Sequence, residues 1–134
     1  MGTRHLYGLK ELTGTPFCRV ELAALCDINV DNGERAAGEV ESLFGFRPPV
    51  YTDLAEMARE IPDLDAVDVV TDPSFHHDVV CQAASLGLHV MVEKPFGMTV
   101  RTCRMMAEAA ASNGKLISVA ENYRRDPSAR LANH

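Results

Sequence analysis

Short apolar runs alternate with segments of helical periodicity along almost the whole chain, and this alternation constrains the fold more than any other feature. Runs typical of buried strands occupy residues 20–26, 49–51, 66–71, 89–93 and 115–121. Parallel neighbours in a sheet need a long crossover connection, which a helix usually supplies. Strands separated by helices therefore predict an α/β fold with a doubly wound parallel sheet.

The helical segments carry signals for where they begin and end. Asp53 is followed three residues later by Glu56, the spacing of a capping box. Thr99 is a candidate N-cap, and Gly87 fits the left-handed position that follows a helix. The predicted helices span residues 3–12, 53–60, 75–86 and 99–112. The predicted buried side of the last one is formed by Met105, Met106, Ala109 and Ala110.

Composition excludes several classes of function. The 134 residues suit one domain, and a net charge of -6 gives no reason to bind nucleic acid. No apolar stretch approaches about 18 residues and no secretory leader is visible, so we expect neither a membrane span nor secretion. Four widely spaced cysteines suggest reduced thiols and a cytoplasmic protein. The adjacent His76 and His77 predict no metal site, because neighbours on a helix point to different sides.

Glu93, Lys94 and Pro95 stand at the end of the apolar run 89–93, where charged groups need an explanation. The strand could simply end in a solvated turn that contains Pro95 and Gly97. Alternatively, Lys94 could act on a substrate, because ligands of open α/β sheets bind beyond the carboxyl ends of the strands. The pattern of these residues leaves both interpretations open.

Asp27 ends the run 20–26 and has two possible roles. At the end of the second strand of a dinucleotide fold, its carboxylate would accept hydrogen bonds from the ribose hydroxyls and repel a 2′-phosphate. Ile28 and Asn29 follow it rather than an arginine, so this interpretation favours NAD over NADP. Otherwise Asp27 belongs to a polar loop and caps a backbone group. No complete GxGxxG motif is present, and Gly2 is the glycine closest to the start.

Six segments in order resemble the glucose-fructose oxidoreductase, inositol dehydrogenase and MocA family. The Glu-Lys-Pro triplet preceded by Gly-x-His-Val is the specific part of the resemblance. The matching segments are Gly2 with His5, Asp27 after a strand, "VYTDLAEM" at 50–57, "LDAVDVVTDPSFHH" at 64–77, "GLHVMVEKPFGMT" at 87–99 and "AENYRRDP" at 120–127.

The resemblance implies a Rossmann-like cofactor domain and NAD(P)-dependent oxidation of a CH–OH group of a sugar or polyol, or the reverse reduction. It makes Lys94 the catalytic residue that hydrogen-bonds the reacting hydroxyl or carbonyl. Asp72 and Pro73 replace the usual Pro-Asn after Thr71, which puts one polar contact to the cofactor in doubt. The residues that the resemblance assigns to cofactor binding are Gly2, Asp27, Thr71, His76, Glu93, Lys94, Pro95, Asn122 and Arg124.

The resemblance also implies that residues 1–134 are an incomplete dinucleotide-binding domain. The sheet lacks its first strand, and the C-terminal substrate domain, which carries the usual oligomer interface, is absent. We therefore expect the chain alone to be inactive and the full-length form to take a small sugar or polyol. Two alternatives remain: a non-catalytic nucleotide-binding or partner-binding module, and an unrelated doubly wound domain such as a flavodoxin-like one.

Overall fold

The computed structural model describes residues 2–124 and 126–132. The chain falls into two compact units, residues 1–64 and 65–134. The first holds a two-stranded sheet and the second a three-stranded sheet. Every strand pair in both sheets is parallel, which confirms the predicted α/β class.

The first unit packs a helix on a short parallel sheet. Leu25 pairs with Val50 across that sheet. Gly33 lets the helix approach the sheet closely, because a Cβ there would lie 2.5 Å from Val50 Cγ1. The buried side chains of this unit include Ala37 and Val40. Its elements are α1 (Gly2–Thr13), β1 (Leu25–Cys26), α2 (Val30–Phe44), β2 (Val50–Tyr51) and α3 (Leu54–Glu60).

β1 is much shorter than the predicted strand over 20–26, and that prediction is wrong for residues 20–24. Its partner explains the difference. Leu25 N donates to Pro49 O at 3.0 Å, but Pro48 and Pro49 have no N–H to return. A parallel ladder alternates donors and acceptors along both strands, so the pairing cannot extend past these two prolines.

The second unit is a three-stranded parallel sheet with β4 in the centre. Helix α4 packs against β3, β4 and α5. Val90 and Val92 of β4 are buried, as are Val80 and Met106 of the helices. The elements are β3 (Ala66–Val69), α4 (His76–Ser85), β4 (His89–Glu93), α5 (Val100–Ser112), β5 (Ile117–Ala120) and α6 (Pro127–Leu131), with 3-10 turns at Pro73–Phe75 and Asn122–Arg124.

The predicted capping residues are confirmed, and the predicted buried side of α5 is partly wrong. Asp53 Oδ1 accepts from Glu56 N at 2.7 Å, and Thr99 Oγ1 accepts from the backbone at the start of α5. Gly87 has a φ of 80°, the left-handed conformation expected after α4. Met105 is 41% exposed, because Met106 and its neighbours one turn away form the packed side of the helix.

In the described ranges, none of the helices combines the length and the apolar character that crossing a membrane would require.

Candidate functional site

The carboxyl ends of β3, β4 and β5 meet at one edge of the three-stranded sheet. The register pairs Val69 with Val92 and Glu93 with Ala120, so the segments after the three strands leave the sheet side by side. This is the edge at which open α/β sheets bind ligands. It brings together most of the residues predicted for the site: Thr71, His76, Glu93, Lys94, Pro95, Asn122 and Arg124.

Glu93 ends β4 and is only 6% exposed. Its Oε2 accepts from the backbone N–H of Lys94 at 2.8 Å. A carboxylate in such a position needs polar partners to offset its desolvation, and this N–H is one of them. The contact fixes the chain at the residue where it leaves the sheet. The side chain of Lys94 itself is exposed, and the Lys94–Pro95 peptide bond is cis.

His76 is fully buried at the start of α4, and both ring nitrogens lie against backbone carbonyls. Nδ1 is 3.0 Å from Pro95 O, and Nε2 is 3.2 Å from Thr71 O. The ring therefore bridges the segments that follow β3 and β4. Sequence reasoning missed this bridge, because it depends on which strands are neighbours. Direct contact between His76 and a cofactor stays a prediction.

Asp72 occupies the position where this chain departs from the family pattern, and its carboxylate caps the turn that precedes α4. Oδ1 accepts from the hydroxyl and from the backbone N–H of Ser74, the latter at 2.9 Å. The Ser74 hydroxyl and then the backbone bond hold the pKa of Asp72 below its ordinary value. Its carboxylate therefore has a local structural role.

The turn Asn122–Arg124 follows β5, and its three side chains are exposed. Tyr123 N donates to Glu121 Oε1 at 3.1 Å, which closes the turn. Asn122 and Arg124 thus lie beyond the strand next to β4, at the same edge of the sheet as Lys94. Their contact with a cofactor stays a prediction.

In the first unit, Asp27 directly follows β1 and is half-buried. Its Oδ1 accepts from Asn29 N at 2.8 Å, so part of the carboxylate has the local role considered from the sequence. Asn29 in turn caps α2 through Asp31 N at 2.9 Å. Desolvation, then Asp53 and then Asp27 raise the pKa of the Cys26 thiol. Two carboxylates thus lie close to this thiol and make the edge negative.

The first unit also has hydrogen-bond donors, the backbone N–H groups at the start of α1. This helix begins at Gly2 and has no acidic residue in its first turn. The free N–H groups of a first helical turn favour an anion. A nicotinamide dinucleotide presents ribose hydroxyls, which donate, and a pyrophosphate, which accepts. Asp27 and the start of α1 have the complementary chemistry, so the residues present fit such a cofactor.

The parallel strands with intervening helices, and the polar groups at their carboxyl ends, define a dinucleotide-binding α/β domain of Rossmann type. The profile of the family described as "Oxidoreductase family, NAD-binding Rossmann fold" matches residues 1–121. The chain belongs to this family, that of glucose-fructose oxidoreductase, inositol dehydrogenase and MocA. The resemblance inferred from the sequence is confirmed, and the unrelated flavodoxin-like domain is excluded.

Two relatives match most of this chain. It is 33% identical to D-apiose dehydrogenase of Paraburkholderia graminis over 92% of this chain and 30% of the relative. It is 32% identical to a glycosyl hydrolase family 109 protein of Streptomyces coelicolor, over 87% of this chain and 25% of the relative.

A solved structure extends the comparison to the fold. The WlbA dehydrogenase of Chromobacterium violaceum, in complex with NADH and UDP-GlcNAcA, matches with a TM-score of 0.82 and 26% identity. The match covers 97% of this chain and 34% of that one. The chain thus spans about a third or less of the length of the proteins that it matches.

Proposed function

We propose that this chain is the cofactor-binding part of an NAD-dependent oxidoreductase that acts on a CH–OH group of a sugar, polyol or related compound. The observation that carries the proposal is Lys94 at the carboxyl edge of the central strand, next to a buried carboxylate that holds its backbone. If residues 93–95 were only a solvated turn, the Glu93 carboxylate would not need to be buried beside Lys94. The substrates named for the relatives support the substrate class.

Lys94 has the chemistry of the acid–base residue. The bound cofactor supplies a hydride acceptor for oxidation and a hydride donor for reduction. Loss of a hydride from a carbinol carbon turns the hydroxyl into a carbonyl, so a proton must leave the oxygen in the same reaction. An amine in hydrogen-bond reach accepts that proton, and an ammonium returns it in the reverse direction. The exposed side chain of Lys94 is free to meet a substrate supplied from outside this chain.

Asp27 gives the reason to prefer NAD. Its carboxylate would accept from the 2′- and 3′-hydroxyls of a ribose, and it would repel the charge of a 2′-phosphate. Asp53, which also raises the pKa of the Cys26 thiol, adds negative charge at the same edge. NADP binding would have to overcome both carboxylates.

Titration of the complete protein with NADH and with NADPH, followed by fluorescence, tests this preference. We expect NADH to bind more tightly, and Asp27→Ala to weaken NADH binding by about 10- to 100-fold, the loss of a charge-assisted hydrogen bond. Asp31→Asn is the matched control, because it removes one exposed charge from the same segment and should leave NADH binding unchanged. Tighter binding of NADPH by the unaltered protein would refute the preference.

Hydride transfer in the complete protein tests the role of Lys94. With NAD and a panel of sugars and polyols, we expect Lys94→Ala to lower kcat by about 10²- to 10⁴-fold, the usual contribution of acid–base catalysis. Lys115 precedes β5 at the opposite edge of the same sheet, so Lys115→Ala should retain activity. Equal activity of the two variants would remove Lys94 from the chemistry.

The relative named as a glycosyl hydrolase suggests a glycoside as a second candidate substrate. A dehydrogenase accumulates NADH, whereas hydrolysis releases a sugar without net NADH. Measurement of NADH and of released sugar therefore distinguishes oxidation from hydrolysis. NADH binding without either product would favour the non-catalytic module considered from the sequence. We further propose that the substrate pocket and the oligomer interface belong to a second domain of the complete protein.

A further inference from the structure

His76 has a position that its predicted role does not explain. Its ring is fully buried at the start of α4. Both nitrogens lie at hydrogen-bond distance from carbonyl oxygens, those of Pro95 and Thr71. Buried polar groups are retained where they hold two parts of a structure in one arrangement.

The two carbonyls belong to the segments that leave neighbouring strands at the edge where ligands bind. Thr71 lies two residues after β3, and Pro95 lies two residues after β4. These strands are paired, but the ladder ends with Val69 and Val92. Beyond that point the ladder no longer links the two segments, and the imidazole of His76 bridges them instead.

Lys94 lies between two fixed points. On one side its N–H is held by Glu93 Oε2 at 2.8 Å. On the other side His76 Nδ1 lies 3.0 Å from the carbonyl oxygen of Pro95, the distance of a hydrogen bond when Nδ1 carries the proton. The side chain of Lys94 is exposed and has several rotatable bonds, so a defined backbone is what limits where its amine can go.

We propose that His76 is a positioning residue in the Nδ1–H tautomer, which sets the place of Lys94 by donating to the carbonyl of Pro95 while its ring lies against the carbonyl of Thr71. The proposal deepens the proposed function, on which its catalytic consequence rests. Groups that orient a reacting residue typically affect rate by about 10- to 100-fold without touching the substrate.

Four variants of the protein test the bridge. His76→Phe fills the space of the ring and removes both nitrogens. In His76→Asn the amide nitrogen takes the place of Nδ1 and can still donate to Pro95 O, whereas in His76→Gln it takes the place of Nε2 and faces Thr71 O. His77→Phe is the control, because the ring of His77 lies 3.4 Å from Asp78 Oδ1 on its own helix.

The readout is the environment of Lys94 itself. Lysine amines are labelled by reductive ¹³C-methylation, and the Lys94 resonance is assigned with Lys94→Arg. We expect His76→Phe to shift this resonance, His76→Asn to keep it closer to the original than His76→Gln does, and His77→Phe to leave it in place. The resonances of Lys10 and Lys115 report general loss of structure. If the role of His76 were purely structural, His76→Phe would shift all three lysine resonances, and no shift would be specific to Lys94.

An unchanged Lys94 resonance in folded His76→Phe would overturn the proposal. If that variant does not fold, equal shifts in His76→Asn and His76→Gln, or the larger shift in His76→Asn, would overturn it. In the active protein we expect kcat of His76→Phe to fall by about 10- to 100-fold. Absence of NADH binding by the unaltered protein would contradict the proposed function, and the Lys94 resonance would still decide the bridge.

Discussion

Replacement of Gly33 by alanine tests how closely α2 approaches the sheet that carries Asp27. A Cβ at Gly33 would lie 2.5 Å from Val50 Cγ1, whereas carbon atoms in contact are about 3.5 to 4.0 Å apart. The branched side chain of Val50 has little freedom to turn away. Overpacking of this kind costs about 1 to 3 kcal/mol, and the better helix propensity of alanine returns up to about 1 kcal/mol.

Gly38→Ala is the matched control in the same helix. Its Cβ would meet nothing closer than Arg47 Nη1 at 3.8 Å, an ordinary contact. The gain in helix propensity is the same for both variants, so the difference between them isolates the packing cost. We expect Gly33→Ala to be about 1 to 3 kcal/mol less stable than Gly38→Ala in urea unfolding.

A double variant extends the test. Val50→Ala removes Cγ1, so Gly33→Ala should cost less in that background than in the unaltered chain. The reasoning is refuted if Gly33→Ala is as stable as Gly38→Ala, or if Val50→Ala does not relieve its cost.

Two further predictions concern ionisation. The Ser74 hydroxyl and N–H hold the pKa of Asp72 below its ordinary value. Their contribution to stability is therefore complete above that ordinary value and is lost as the pH falls through the pKa of the folded state. In urea unfolding measured at several pH values, Asp72→Ala should reduce this loss of stability at acid pH. Desolvation, then Asp53 and then Asp27 raise the pKa of the Cys26 thiol, so Asp27→Asn should increase its rate of alkylation near pH 8, followed by mass spectrometry; an unchanged rate would contradict the electrostatic part of this shift.

The strands and caps that depend on nearby residues could be predicted from the sequence. The strand His89–Glu93 has the predicted bounds, and Asp53 and Thr99 cap the helices predicted for them. These features follow from apolar runs and from hydrogen bonds between residues three positions apart. Residues 20–24 were wrongly assigned to a strand. The length of a strand depends on its partner segment, and here Pro48 and Pro49 directly precede β2 and end the pairing.

The candidate site was also predictable only in part. Sequence patterns showed a lysine, Lys94, at a strand end and an acidic residue after β1. The bridge made by His76 was not, because it joins residues 19 and 5 positions away through the pairing of two strands. The local role of Asp27 Oδ1 was left open by the sequence and required the position of Asn29.

The measurement that tests the central claim most directly is calorimetric titration of NAD. It compares the 134-residue chain with a version extended upstream by a strand and a Gly-rich turn. We expect the extended version to bind NAD more tightly, because such a turn supplies backbone donors for the pyrophosphate, and Asp27→Ala to weaken that binding. Absence of NAD binding by both versions, each shown to be folded by circular dichroism, would contradict the account.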